Sequence, residues 1–149
     1  MSPTVNKPQF NNKPIAHIHV DNIQANLDLA RDKSPGSKTM AVIKANAYGH
    51  SVALVAPHLE GMEAFAVARI EEGAALRNLG INIPIYILQG FLNESELAQC
   101  VELQLIPMIH SLDQWQLVNA TETKLAAWLK FDSGMHRLGL NPTELSMIL

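Results

Sequence analysis

From residue 38 onward one unit recurs along the chain: a short apolar run, a polar or glycine-containing turn, then a stretch of helical periodicity. The runs fall at residues 39–43, 64–68, 85–88, 105–109 and 126–131, roughly 20–26 residues apart. Several lack the apolar/polar alternation of a half-exposed strand, as expected of strands buried on both faces of a parallel sheet. The stretches between them carry helix signals. Ser111 with Gln114 reads as a capping box. Asn141-Pro142 with Glu144 gives a cap, a proline at the first helical position and an acid at the third. Gly80 sits where a helix over 69–79 should stop. Strand–helix–strand repeats of this length form right-handed βαβ units. Two α/β architectures accommodate five of them. One is a complete open five-stranded sheet. The other is the N-terminal part of a TIM-type (β/α)8 barrel, truncated before closure, because a barrel takes about 250 residues and this chain has 149.

The remainder of the chain adds less. Residues 1–13 are polar and read as a flexible lead. Residues 15–20 alternate, with Ala16, Ile18 and Val20 on one face and His17 and His19 on the other, which predicts a half-exposed strand. Asp21 can cap a helix whose apolar residues are Ile23, Leu27 and Ala30. A net charge of -3, with 11 Lys+Arg scattered along the chain, argues against a nucleic-acid or acidic-membrane partner. One cysteine, Cys100, allows no internal disulfide and fits a reducing compartment. With no signal-peptide pattern and no run long enough to cross a bilayer, the expected location is cytoplasmic.

Two segments carry chemistry. The first, residues 41–51, reads Ala-Val-Ile-Lys-Ala-Asn-Ala-Tyr-Gly-His-Ser. An apolar run ends in Lys44 and a tight turn follows. Partial loss of hydration lowers the cost of a neutral amine, and a neutral amine is a nucleophile. The second, residues 129–140, reads Leu-Lys-Phe-Asp-Ser-Gly-Met-His-Arg-Leu-Gly-Leu. Lys130 closes a strand and Arg137 follows across a glycine turn. Two cations aimed at one site repel unless an anion sits between them. The alternative is that Lys130 extends to solvent while Arg137 pairs with Asp132. His17, His19, His58 and His110 have no ligand-like spacing, so no metal site is expected. Trp115, Trp128 and Tyr86 fit core positions. Leu88 is best read as core, although it ends a strand and could reach a bound group.

Both segments resemble alanine racemases, which are fold-type III pyridoxal-phosphate enzymes. The family's first motif is Val-x-Lys-Ala-(Asn/Asp)-(Gly/Ala)-Tyr-Gly-His-Gly, and Ser51 replaces its last glycine. Its second is Lys-x-Asp-(Thr/Ser)-Gly-Met-x-Arg-Leu-Gly. The resemblance covers the chain from about residue 14 and favours the barrel, with 14–149 as the N-terminal part of the cofactor-binding domain. It implies pyridoxal 5'-phosphate as cofactor and Lys44 as the lysine that carries it and then serves as base at the substrate Cα–H. It further implies Tyr48 on the cofactor phosphate and Arg137 toward cofactor and substrate. Lys130 is then a candidate for carbamylation, which would hold the arginine, and His50 supports the turn. The implied reaction interconverts L-alanine and D-alanine for peptidoglycan, in a homodimer. In the family the second base is a tyrosine from the partner's C-terminal β domain. Neither Tyr48 nor Tyr86 suits that role, so the chain alone is expected to be inactive, with that domain absent. Two other functions stay open: a non-catalytic pyridoxal-phosphate-binding barrel, against which the Tyr-Gly-His continuation speaks, and a broad-specificity amino-acid racemase.

Overall fold

The computed structural model describes residues 14–122 and 124–149; the lead expected over 1–13 lies outside them. Five parallel strands form one sheet in the order β1-β2-β3-β4-β5. They are β1 (Met40–Val42), β2 (Ala64–Val67), β3 (Ile85–Ile87), β4 (Ile106–Ile109) and β5 (Trp128–Leu129). Each pairs with its sequence neighbour, in registers such as Ala41 with Phe65, Ala66 with Tyr86 and Met108 with Trp128. This is the strand order of a (β/α)8 barrel, here as five βα units in an open sheet.

Helices fill the connections: α1 (Val20–Lys33), α3 (Val52–Val55), α4 (Ile70–Asn78), α5 (Glu94–Glu102), α6 (Leu112–Ala120) and α7 (Pro142–Ile148). Between β1 and α3 lies a single turn, α2 (Lys44–Tyr48). The core is thickest at β2, where all four residues are buried, and Phe65, Val67, Ile85, Ile87 and Leu105 pack against Leu76 and Cys100 from the helices. Each such side chain contributes about 1.5–3 kcal/mol relative to exposure. Gly73 sets how closely α4 approaches. A Cβ at Gly73 would lie 3.0 Å from the methyls of Ile87 and Leu105, so a larger residue would lift the helix off the sheet. At the opposite end of the strands Arg77 donates to four main-chain carbonyls, those of Ile81, Ile83, Leu103 and Gln104, at 2.6 to 2.9 Å. One guanidinium thereby joins the loop before β3 to the loop before β4.

Several expectations need correction. No strand forms over 15–20. Among the described residues nothing pairs with it, and alternation without a partner leaves its N–H and C=O groups to water. Helix α1 instead starts at Val20 with His19 as its cap position, not Asp21, and Ala30 faces solvent. The run at 126–131 forms a ladder only at Trp128–Leu129, followed by a single bridge from Phe131 to Leu140. Trp128 is not core: it is 45% exposed, with its ring against Tyr86 at a centroid distance of 4.2 Å. Trp115 and Tyr86 are only half-buried. The Asn141–Glu144 capping box and the stop at Gly80 (φ +79) are as expected. At Ser111 only half of the box forms, because Gln114 is employed elsewhere.

Candidate active site

The ladder bonds run past the strands proper at their C-terminal ends. Ile43 N–H donates to Ala66 O, Leu88 N–H to Val67 O, Gln89 N–H to Ala68 O and Lys130 N–H to Ile109 O, at 2.8 to 3.1 Å. The residues just beyond each strand are therefore fixed by the sheet rather than by their loops. Ala68, Leu88, Gln89 and Lys130 among them line an open cleft of about 720 Å³, which Lys44 and Arg137 also line. In barrel enzymes this end of the strands is where chemistry takes place. Among the described residues no carboxylate lines the cleft. Leu88, Met108, Leu129 and Phe131 supply apolar walls; Leu88 thus serves the cleft rather than the core.

Lys44 is half-buried and opens α2, whose backbone is left-handed: Ala45, Asn46, Ala47 and Tyr48 have φ between +51 and +55. For L-residues this conformation costs roughly 1–2 kcal/mol each, so surrounding contacts must hold it. Ala47 N–H donates to Ile43 O and Gly49 N–H to Ala45 O, both at 3.0 Å, and Asn46 Oδ1 accepts from Val52 N–H at 2.8 Å. Ala47 itself is buried. His50 Nδ1–H donates to Ala47 O at 3.0 Å, a supporting role. Glu72 reaches across from α4 and accepts from Ala45 N–H at 2.5 Å. Ser51, which stands where the resembled motif has glycine, has φ +69, a value that glycine adopts freely.

On the other flank, Asp132 organises the 131–140 loop. Its Oδ1 accepts from the N–H groups of Gly134 and His136, and its Oδ2 meets His136 Nδ1, each at 3.0 Å. The two backbone N–H bonds are the main reason its carboxyl is held down at about 2. Asp132 is thus paired with His136, not with Arg137, and Arg137 is exposed with no hydrogen-bond or ion-pair partner among the described residues. Behind the cleft, Gln114 is buried. Its Oε1 accepts from His110 N–H at 2.8 Å and its Nε2 donates to Phe91 O at 2.9 Å, which ties the loops after β3 and β4 together.

The structure thus brings Lys44, Lys130 and Arg137 to one cleft. Tyr48 and His50 line a separate apolar hollow beside Ile23, Leu27 and Met62, with Tyr48 58% exposed. Sequence reasoning missed Glu72, and it gave Gln114 only the capping role and not the bonds to His110 and Phe91. Each is a Glu or Gln three residues after a helix cap position, a pattern that usually signals only local capping.

Residues 18–149 match the family model described as "Alanine racemase, N-terminal domain". The chain is similar to the alanine racemase of Vibrio cholerae, 42% identical over 131 residues, covering 87% of this chain and 36% of that protein. Among solved structures it is similar to the biosynthetic alanine racemase of Pseudomonas aeruginosa, with TM-score 0.81 and 37% identity over 86% of this chain and 37% of that one. It is also similar to the alanine racemase of Bartonella henselae with covalently bound pyridoxal phosphate, with TM-score 0.79 and 33% identity over 88% of this chain and 38% of that one. The chain spans little more than a third of the length of the relatives it matches.

Proposed function

The chain belongs to the alanine racemase family, to its N-terminal domain, and from that membership we propose that it provides the cofactor-lysine side of a pyridoxal-phosphate enzyme interconverting L-alanine and D-alanine. The complete reaction is assigned to a protein that has the full length of those relatives. The observation that carries the proposal is the convergence of Lys44, Lys130 and Arg137 on one cleft, with no carboxylate among the described residues that line it. Such a cleft suits an anionic, flat, aromatic ligand: cations for its charged groups, and apolar walls for its ring faces.

When bound there, pyridoxal phosphate supplies an electron sink for charge that develops at the amino acid Cα. The chain's own residues do the rest. Lys44, fixed by the left-handed turn, accepts the Cα proton on the face that handles the D-enantiomer. Arg137, without a hydrogen-bond or ion-pair partner among the described residues, is available to an anionic oxygen of cofactor or substrate. From the Lys44 motif alone we assign the Tyr48 hydroxyl to the cofactor phosphate; in this structure its side chain lines the neighbouring hollow and not the cleft. Carbamylation of Lys130 would convert a cation into an anion able to hold Arg137 by a charge-assisted pair. Homodimerisation and a cytoplasmic location belong to the same proposal. Burial pushes the Cys100 thiol up to about 11 and leaves it unreactive, so it takes no part in this chemistry.

Borohydride reduction in the presence of pyridoxal phosphate, followed by peptide mapping, tests the assignment. The expected adduct is on Lys44. An adduct on Lys130, or on another lysine, would overturn it.

A further inference from the structure

The left-handed turn that presents Lys44 is also held from another βα unit, by the side chain of Glu72. Glu72 Oε1 accepts from Ala45 N–H at 2.5 Å, while its Oε2 accepts from Ala68 N–H at 2.8 Å and Arg69 N–H at 3.0 Å. The second pair of bonds is the ordinary work of a residue three past the helix cap. The first is not, because it crosses 27 residues of sequence to another βα unit. Ala68 and Lys44 both line the cleft, so this carboxylate fixes the cleft backbone beyond β1 and beyond β2 at once. Gly73 makes the reach possible. It lets α4 lie against Ile87 and Leu105 at a separation that a Cβ would not allow, which brings its neighbour Glu72 to the turn.

We propose that Glu72 is the positioning residue for Lys44: its carboxylate holds α2 in the left-handed conformation that directs the lysine into the cleft. This rests on the reading of Lys44 as the cofactor lysine. Glu72 touches neither substrate nor cofactor and acts through the backbone of Ala45.

Glu72→Gln separates its two tasks. The variant keeps one acceptor oxygen, which suffices for a helix cap, and turns an NH2 group toward Ala45 N–H. In the chain carrying Glu72→Gln the Ala45 amide should exchange with solvent roughly tenfold faster, while Ala68 and Arg69 keep their protection. Labelling with pyridoxal phosphate and borohydride gives the second readout. The rate at Lys44 relative to the exposed Lys38 should fall roughly tenfold or more. Adding Ala45→Gly should restore part of that ratio, because glycine adopts positive φ without the cost borne by alanine. A purely structural role would not produce that rescue. Equal loss of protection at all three amides, or an unchanged labelling ratio, overturns the proposal. Should Glu72→Gln fail to fold, Glu72→Asp, one methylene shorter, is read in the same way. If the unaltered chain labels Lys44 no faster than Lys38, the cofactor-lysine reading falls instead, and Ala45 exchange alone decides whether Glu72 holds the turn.

Discussion

Asp132 and Ser51 show how single positions shape the rim of the cleft. Because folding lowers the Asp132 pKa from 3.8 to about 2, the unfolded chain binds its proton first as pH falls. The carboxylate's contribution is fully present above about 4 and is lost as pH drops through about 2. Carboxyl NMR titration of Asp132 should show a midpoint near 2, and the Gly134 and His136 amides should move with it; a midpoint near 4 would contradict the turn. Ser51 bears a positive φ without a capping bond from its side chain. Ser51→Gly should therefore stabilise the chain by about 1 kcal/mol, read as a raised urea midpoint. The sequence already displayed this substitution as the one break in the Lys44 motif. It did not display the reason, since positive φ at a serine is a property of the turn it closes. Asp132 is the same kind of case: its carboxylate and Arg137 are five residues apart, yet the glycine turn folds His136 onto it instead.

At the level of elements, the repeat made the strands and helices legible because each βα unit states its own period and caps. What stayed hidden were side chains that join one unit to the next. Arg77 is the clearest. Nothing in its helix suggests that it serves four carbonyls in two loops. Arg77→Lys keeps the charge but loses the planar fork, and should cost about 1.5–3 kcal/mol, the scale of one charged hydrogen bond. Thermal unfolding with no change in native circular dichroism would check it. Asn141→Ala, which removes a cap visible in the sequence, should cost about 1 kcal/mol. The strand misread at 15–20 failed for the complementary reason: a strand is defined by its partner, and periodicity cannot supply one.

For the whole molecule, the described sheet is open, and β5 presents Trp128 and Leu129 to solvent, with Phe131 exposed just beyond it. An unpaired apolar edge invites association. Light scattering should show apparent mass rising with concentration; a monomer at all concentrations, with slow amide exchange at 128–129, would contradict this. The 149-residue chain by itself, which holds the Lys44 side of the proposed site, should show no D-alanine formation in a coupled assay with added pyridoxal phosphate, since each general base contributes typically about 10²–10⁴-fold. The sheet's sequential order has one more consequence, in time rather than in space. Every ladder joins strands about 20 residues apart in sequence, so closing each one costs a similar entropy, about 2.7 kcal/mol from the length-dependent part of loop closure. No strand waits for a distant partner. Assembly can therefore advance one unit at a time from the amino end, at the pace at which a ribosome delivers the chain.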